Sequence, residues 1–244
     1  GYPEKAAVHI SSYQPTYNPH PVQIEKACRR IMKATRPVLY VGGGVILSNS
    51  AQDLTELAEK LSIPVTMTLM GLGAFPGSKK LSMGMLGMHG TYTANMAVAE
   101  CDLLIAVGAR FDDRVTGKLS DFATKADIIH IDIDPTSISK NVRVDIPIVA
   151  DCRHALTAIN KWFDAEASFH SAEQAERLQP WIARIDEWTA KHPLAYREND
   201  TIIKPQYVIE TLHQFTGGKA IVTTEVGQNQ MWAAQYYKHE KPGS

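Results

Sequence analysis

"DLLIAVGARFDDRVTG", residues Asp102–Gly117, decides the fold. Its first half, Leu103–Val107, is an unbroken apolar run with no alternation of polar and apolar residues. A strand with one wet face alternates; a strand buried on both faces does not, and such strands belong to parallel sheets covered by helices. The second half sets Arg110, Asp112, Asp113 and Arg114 at the carboxyl end of that strand. Charges there are costly to bury, and they stand where open parallel sheets bind their ligands.

The same rhythm repeats on both sides. Upstream, "PVQIEKACRRIMKAT" spaces its apolar residues as a helix, Pro37 breaks it, and "VLYVGGG" follows as strand and turn. "NSAQDLTELAEKLS" predicts a second amphipathic helix with Asn49 or Ser50 at its N-cap, and "IPVTMTL" a second strand. "TYTANMAVAEC" is the helix before the Leu103 strand; "ADIIHIDID" and "DIPIVA" are two further strands, and "CRHALTAINKWF" a closing helix. Strands alternating with helices predict an α/β domain with a doubly wound parallel sheet over residues 21–164, its crossovers right-handed.

Outside that domain the composition changes. Residues 1–20 carry Pro3, Pro15 and Pro19 without any period and predict a linker or arm. Residues 165–200 are polar and mostly helical, with Trp181, Ile185 and Trp188 at helical spacing, and predict a helical connector. "KPQYVIETLHQFTGG" predicts another helix and "KAIVTTEVGQNQMW" another strand and turn, so residues 201–244 are expected to open a partial second α/β domain. The chain starts without Met and stops at "KHEKPGS", which suggests a piece of something longer.

Bulk composition narrows the function classes. Of the 244 residues 44% are hydrophobic and 21% charged, as in ordinary globular proteins. A net charge of -1 offers no electrostatic case for nucleic acid or an anionic membrane. No apolar run reaches membrane-spanning length. Cys28, Cys101 and Cys152 lie far apart, which disfavours a disulfide framework or a zinc site and suits a reducing, cytoplasmic setting.

The carboxyl ends of the five expected strands share a common chemistry. "GGG" after the first removes side chains that would hold phosphates away from backbone N–H groups. "TLMGLGAFPG" and "GMLGMHG" come after the second, "GARFDDR" after the third, "HIDIDP" after the fourth and "VADCR" after the fifth. Asp132 and Asp134 suit ribose hydroxyls, although either equally suits a helix cap before Pro135. Glycines after a strand are often turn chemistry, His89 alone is an ordinary loop histidine, and the methionines alone are packing. Held together, the five strand ends fit one extended dinucleotide. There is no G-x-G-x-x-G fingerprint, P-loop, nucleophile elbow or metal spacing, and no general base with a partner.

"YVGGG", "LMGLGAFPG", "MLGMHGTYTAN", "VGARFDDRVTG", "HIDIDPTSISKN", "DIPIVAD" and "EVGQNQMWAAQYY" occur in that order. Over nearly the whole chain these strings resemble the catalytic subunits of the acetohydroxyacid synthase (acetolactate synthase) family of thiamine diphosphate enzymes. The resemblance implies the family's central, FAD-holding domain followed by the start of its diphosphate-binding domain. The family's reaction decarboxylates pyruvate on thiamine diphosphate and Mg2+. It then condenses the hydroxyethyl unit with a second 2-oxo acid, pyruvate or 2-oxobutyrate, for branched-chain amino acid biosynthesis.

The family's FAD contacts fall on Gly42, Gly43 and Gly44, on Thr68, Leu69 and Met70, and on Leu86, Gly87, Met88 and His89. They continue at Gly108, Ala109, Arg110, Asp112 and Val115, and end on Asp132, Ile133, Asp151 and Cys152 at the adenosine side. Arg114 matches the residue that receives the carboxylate of the second 2-oxo acid, with Asp113 orienting it. A guanidinium suits that task because it pairs a carboxylate bidentately. Gly227, Gln228 and Asn229 match the thiamine diphosphate contact, Asn229 standing where the family commonly has histidine.

Nothing here matches the family's activating glutamate or its metal-binding Asp and Asn, so no metal ligand is assigned and this chain alone is expected to be inactive. A homo-oligomer with a separate small regulatory subunit is implied, with no nucleic acid and no membrane among its partners. The alternatives are another thiamine diphosphate-dependent 2-oxo acid decarboxylase or oxidase, and a stand-alone dinucleotide-binding module.

Overall fold

Five consecutive buried residues in each of β1 (Pro37–Val41) and β4 (Leu103–Val107) form the centre of the sheet, which is why neither strand alternates in sequence. The structure, a computed structural model, describes residues 14–198 and 200–244; most of the expected arm, residues 1–13, lies outside them. Around the central pair stand β2 (Val65–Met67) and β3 (Ser82–Met85) on one side, β5 (Asp127–Asp132) and β6 (Ile146–Val149) on the other. All pairings are parallel, in the order β3-β2-β1-β4-β5-β6. The expected doubly wound sheet is thus present, with six strands where the apolar runs indicate five. The additional one is β3, a short edge strand whose Gly84 takes a φ of +75° and carries no apolar run.

Residues on successive positions of a strand face opposite sides, and two separate cores follow from this. Leu39, Val41, Ile105 and Val107 meet α1 (Pro21–Lys33), α3 (Ala51–Leu61) and α6 (Cys152–Ala165) on one face. The short α2 (Gly43–Leu47) adds Val45 to that side. Val38, Tyr40, Leu104 and Ala106 meet α4 (Tyr92–Glu100) on the other. The stretch expected as a helical connector carries α7 (Ser171–Lys191), which lays Trp181, Ile185 and Trp188 on this second face. Trp181 Nε1 donates to Pro37 O at 3.2 Å, satisfying its one donor as a buried indole requires.

Local chemistry differs from expectation at two places. Ser50 does occupy the N-cap of α3, but its hydroxyl donates back to Val45 O at 3.2 Å instead of capping, and Asn49 takes a left-handed turn. Residues 219–227, expected to hold a strand, have no ladder partner among the described residues and form none, leaving Ile221 and Val226 exposed. A β-branched run supplies propensity, whereas a strand needs a neighbour for its N–H and C=O groups. Here the run lies between α8 (Pro205–Thr216) and α9 (Gln228–Tyr236), beyond a short four-residue α5 (Asp113–Thr116) that lies near the sheet's carboxyl edge.

All three cysteines are buried and free. Burial pushes the Cys28 and Cys101 thiols up to about 12, which makes them inert packing groups.

Candidate functional site: a groove across the strand ends

The chain leaves β1 toward one side of the sheet and β4 toward the other, so a crevice opens between their carboxyl ends, the switch point where such sheets take ligands. Two loops form its floor. Gly42 N donates to Val107 O at 2.9 Å and Gly44 N to Gly108 O at 3.0 Å. A Cβ on Gly42 would overlap Gly108 O and lie 2.8 Å from Ala109 Cα; one on Gly44 would lie 2.6 Å from Gly108 Cα. These two glycines therefore let the loops touch. Gly43 has more room, a Cβ there meeting only Met70 at 3.3 Å.

The groove has two compartments. The larger, about 580 Å³, is lined by Gly44, Leu47, Ser48, Asp132, Ile133, Asp151 and Cys152 among others. The smaller, about 270 Å³, is lined by Tyr40, Gly42, Thr68, Leu69, Ala109, Asp112, Arg114 and Val115. Gly43, Met70, Gly108 and Arg110 line both and join them over the switch point. The fold thus gathers residues from the carboxyl ends of five strands, β1, β2, β4, β5 and β6, into two adjoining compartments.

At the larger end, carboxylates are held by backbone donors. Asp132 Oδ1 accepts from Asp134 N at 2.9 Å, and Asp134 itself caps the turn at Pro135–Ser137 by accepting from Thr136 N at 2.9 Å. Both line the larger compartment, and of the pair Asp134 takes the capping role. Asp151 caps α6, accepting from Arg153 N and His154 N. Burial, aided by the charges of Asp132 and Asp151, pushes the Cys152 thiol up to about 12, so it packs and does not attack.

At the smaller end, Asp112 caps α5 and accepts from Arg114 N at 3.2 Å. Its carboxyl is held below the usual range by pairing with the Asp113 side chain and then by that N–H. Arg110 lies 4.0 Å from Asp112, and Arg114 lies 4.0 Å from Asp113; all four side chains are largely solvent-exposed. Contact at that distance leaves the Arg114 guanidinium free to turn toward an incoming anion. Between Arg110 and Asp112, Phe111 takes φ +52°, a conformation a bulky residue rarely adopts. It turns the ring beneath the groove, against Tyr40 at 5.4 Å, His130 at 5.0 Å and Phe122 at 6.0 Å between centroids. His130 Nε2 lies 2.8 Å from Ala109 O, which fixes that loop from below.

Asp113 and two further groups of expected residues stand outside the groove lining. Leu86–His89 lies alongside it: Met88 N donates to Arg114 O at 2.9 Å, and a Cβ on Gly87 would come within 2.9 Å of Val115 Cα. Asn95 fixes this loop, accepting from Gly87 N and donating to Gly87 O. Gly227, Gln228 and Asn229 start α9, with Gln228 and Asn229 exposed, and toward the far end of that helix Gln235 donates to His89 O at 2.8 Å. Among the described residues no cluster of His, Cys, Asp or Glu could hold a metal ion.

The lining also includes residues that sequence reasoning passes over. Tyr17 belongs to the expected arm yet lines the larger compartment and accepts from Asp151 N through its carbonyl. In the sequence Tyr40 reads only as a strand residue, and Leu47 and Ser48 carry no ligand signal. For Tyr40 the one available signal is an aromatic hydroxyl immediately before "VGGG" in an otherwise aliphatic strand.

Residues 24–159 match the family described as thiamine pyrophosphate enzyme, central domain. The acetolactate synthase large subunit of Buchnera aphidicola subsp. Schizaphis graminum is 47% identical over 235 residues, covering 96% of this chain and 40% of that protein. The acetolactate synthase isozyme 3 large subunit of Escherichia coli is 46% identical over 236 residues, 97% of this chain and 41% of that protein. A probable acetolactate synthase large subunit of Methanocaldococcus jannaschii is 45% identical over 249 residues, 100% of this chain and 41% of that protein. The chain spans about two fifths of the length of these curated relatives.

Proposed function

The chain belongs to the thiamine pyrophosphate enzyme family, whose central domain it carries, and on that footing we propose that it is part of an acetolactate synthase large subunit. The whole protein would decarboxylate pyruvate and condense the two-carbon unit with a second 2-oxo acid, pyruvate or 2-oxobutyrate. This chain's share is an FAD site together with part of the gate for the second substrate. The observation that carries the FAD reading is the pair of compartments, about 580 and 270 Å³, that meet across the switch point on Gly43, Met70, Gly108 and Arg110.

The residues present suit FAD. Asp132 offers a carboxylate oxygen to ribose hydroxyls, Gly43 leaves the backbone open where the compartments meet, and Thr68, Leu69, Ala109 and Val115 give the smaller compartment apolar walls for a flat ring. FAD in such a site serves as a structural group with no net redox role. Arg110 would offer positive charge to it, and Arg114, which is exposed and lines the smaller compartment, would receive the carboxylate of the second 2-oxo acid. Thiamine diphosphate is assigned to Gly227, Gln228 and Asn229 at the start of α9, where Gln228 and Asn229 are exposed; among the described residues no cluster could hold a metal ion beside them.

The "large subunit" names of the relatives favour a small subunit as partner, which we take to be regulatory; the homo-oligomer is a proposal from the family resemblance. Among the described residues no helix is long and apolar enough to cross a membrane. The test is product analysis of the full-length protein given pyruvate, thiamine diphosphate, Mg2+ and FAD. Acetolactate is expected; acetaldehyde or an oxidised two-carbon product in its place overturns the assignment in favour of another decarboxylase or oxidase.

A further inference from the structure

Tyr40 is fully buried, and its hydroxyl has no hydrogen-bond partner among the described residues. Such a group is an anomaly in a folded protein, since phenylalanine would fill the same volume without giving up a hydrogen bond to water. The residue faces the second core from β1, yet it also lines the smaller compartment of the groove, with Gly42, Thr68, Ala109, Arg110 and Asp112. Its ring is held by Phe111, the residue in the left-handed conformation. A bulky residue in that region normally needs support from its surroundings, and here the turned ring packs beside Tyr40 below the groove.

We propose that the Tyr40 hydroxyl is a hydrogen-bond donor to the ring system of the flavin, acting from beneath the smaller compartment. This rests on the reading of the groove as an FAD site. The ring is the matching part because Asp132, suited to ribose, lines the larger compartment, while the smaller, which also carries Arg110, Asp112 and Arg114, offers Leu69, Ala109 and Val115 as apolar walls for the flat heterocycle and its carbonyl acceptors. Burial, with the nearby charge of Asp112, raises the hydroxyl's pKa far above neutrality, so the group stays protonated and able to donate.

The test compares the chain with its Tyr40→Phe variant by titration with FAD and, separately, with ADP, which offers only the adenosine side. The variant should bind FAD roughly 3- to 10-fold more weakly, the worth of one neutral hydrogen bond. The long-wavelength absorption band of its bound flavin should be displaced from the wild-type position. ADP affinity should be equal in the two proteins, and the melting temperature without ligand equal or higher in the variant. Equal FAD affinity with an identical bound spectrum overturns the proposal. A fall in ADP affinity or in ligand-free melting temperature also overturns it, because the hydroxyl would then serve the fold. Failure of the wild-type chain to bind FAD at all removes the underlying site reading instead, an outcome distinct from saturable binding that ignores the substitution.

Discussion

The three glycines at residues 42–44 should separate into two functions under substitution. In Gly42→Ala the new methyl meets backbone, not a movable side chain: it overlaps Gly108 O and lies 2.8 Å from Ala109 Cα. The loops must part, which costs about 1–3 kcal/mol as overpacking. Parting also strains the bond from Gly44 N to Gly108 O, 3.0 Å long, worth about 1 kcal/mol more. The expected loss is about 2–4 kcal/mol, or roughly 5–15 °C in melting temperature for a domain of this size. Gly43→Ala meets only Met70 at 3.3 Å, and alanine is the better helix former at the start of α2. Its stability should change by no more than about 1 kcal/mol. Its methyl, however, stands where the two compartments join, so FAD affinity should fall by about tenfold or more. Thermal denaturation and flavin titration on both variants decide the matter. Equal destabilisation by the two substitutions, or undiminished FAD binding in Gly43→Ala, refutes the division.

Other residues give independent checks. Trp181→Ala removes a buried indole and its bond to Pro37 O from the second core, and should cost about 3–5 kcal/mol by denaturant unfolding. Arg114→Ala in the full-length enzyme should impair use of the second 2-oxo acid more than the initial decarboxylation; equal loss in both half-reactions removes the proposed role. Asp102 provides a pH test. Burial alone would raise its pKa, but bonds from Thr35 N–H and hydroxyl and from Arg36 N–H outweigh that and hold it below the ordinary value. A depressed carboxylate stabilises the fold above its unfolded pKa and loses that contribution as pH falls through its folded pKa. Asp102→Ala should therefore be less stable than wild type by about 1–3 kcal/mol at neutral pH, with the gap narrowing below about pH 4.

The centre of the fold is legible in the sequence because β1 and β4 are buried on both faces, and two-sided burial writes an unbroken apolar run. The end of each run then locates the groove, since ligands of such sheets gather at carboxyl ends. The features that escape are set by partners distant in sequence. Ser82–Met85 becomes a strand by pairing with β2, not by its own propensity, whereas the β-branched stretch after Gly218 has propensity and no partner among the described residues. The division of labour among Gly42, Gly43 and Gly44 depends on how closely Gly108 approaches, which no local pattern encodes. Tyr40 is the sharpest case: pleat alternation gives its face, but that its hydroxyl ends without a partner beneath a groove emerges only when Phe111, from another strand end, is in place. Likewise Tyr17 sits in a proline-rich arm whose composition signals only a linker, yet its carbonyl pairs with Asp151 N.

The central claim is that the strand-end groove of this chain is a flavin site, and fluorescence titration of the purified chain with FAD, with NAD in parallel, tests it most directly. Saturable quenching at one FAD per chain, with no comparable binding of NAD, is the predicted result. Absence of saturable FAD binding, or equal affinity for the two dinucleotides, would contradict it.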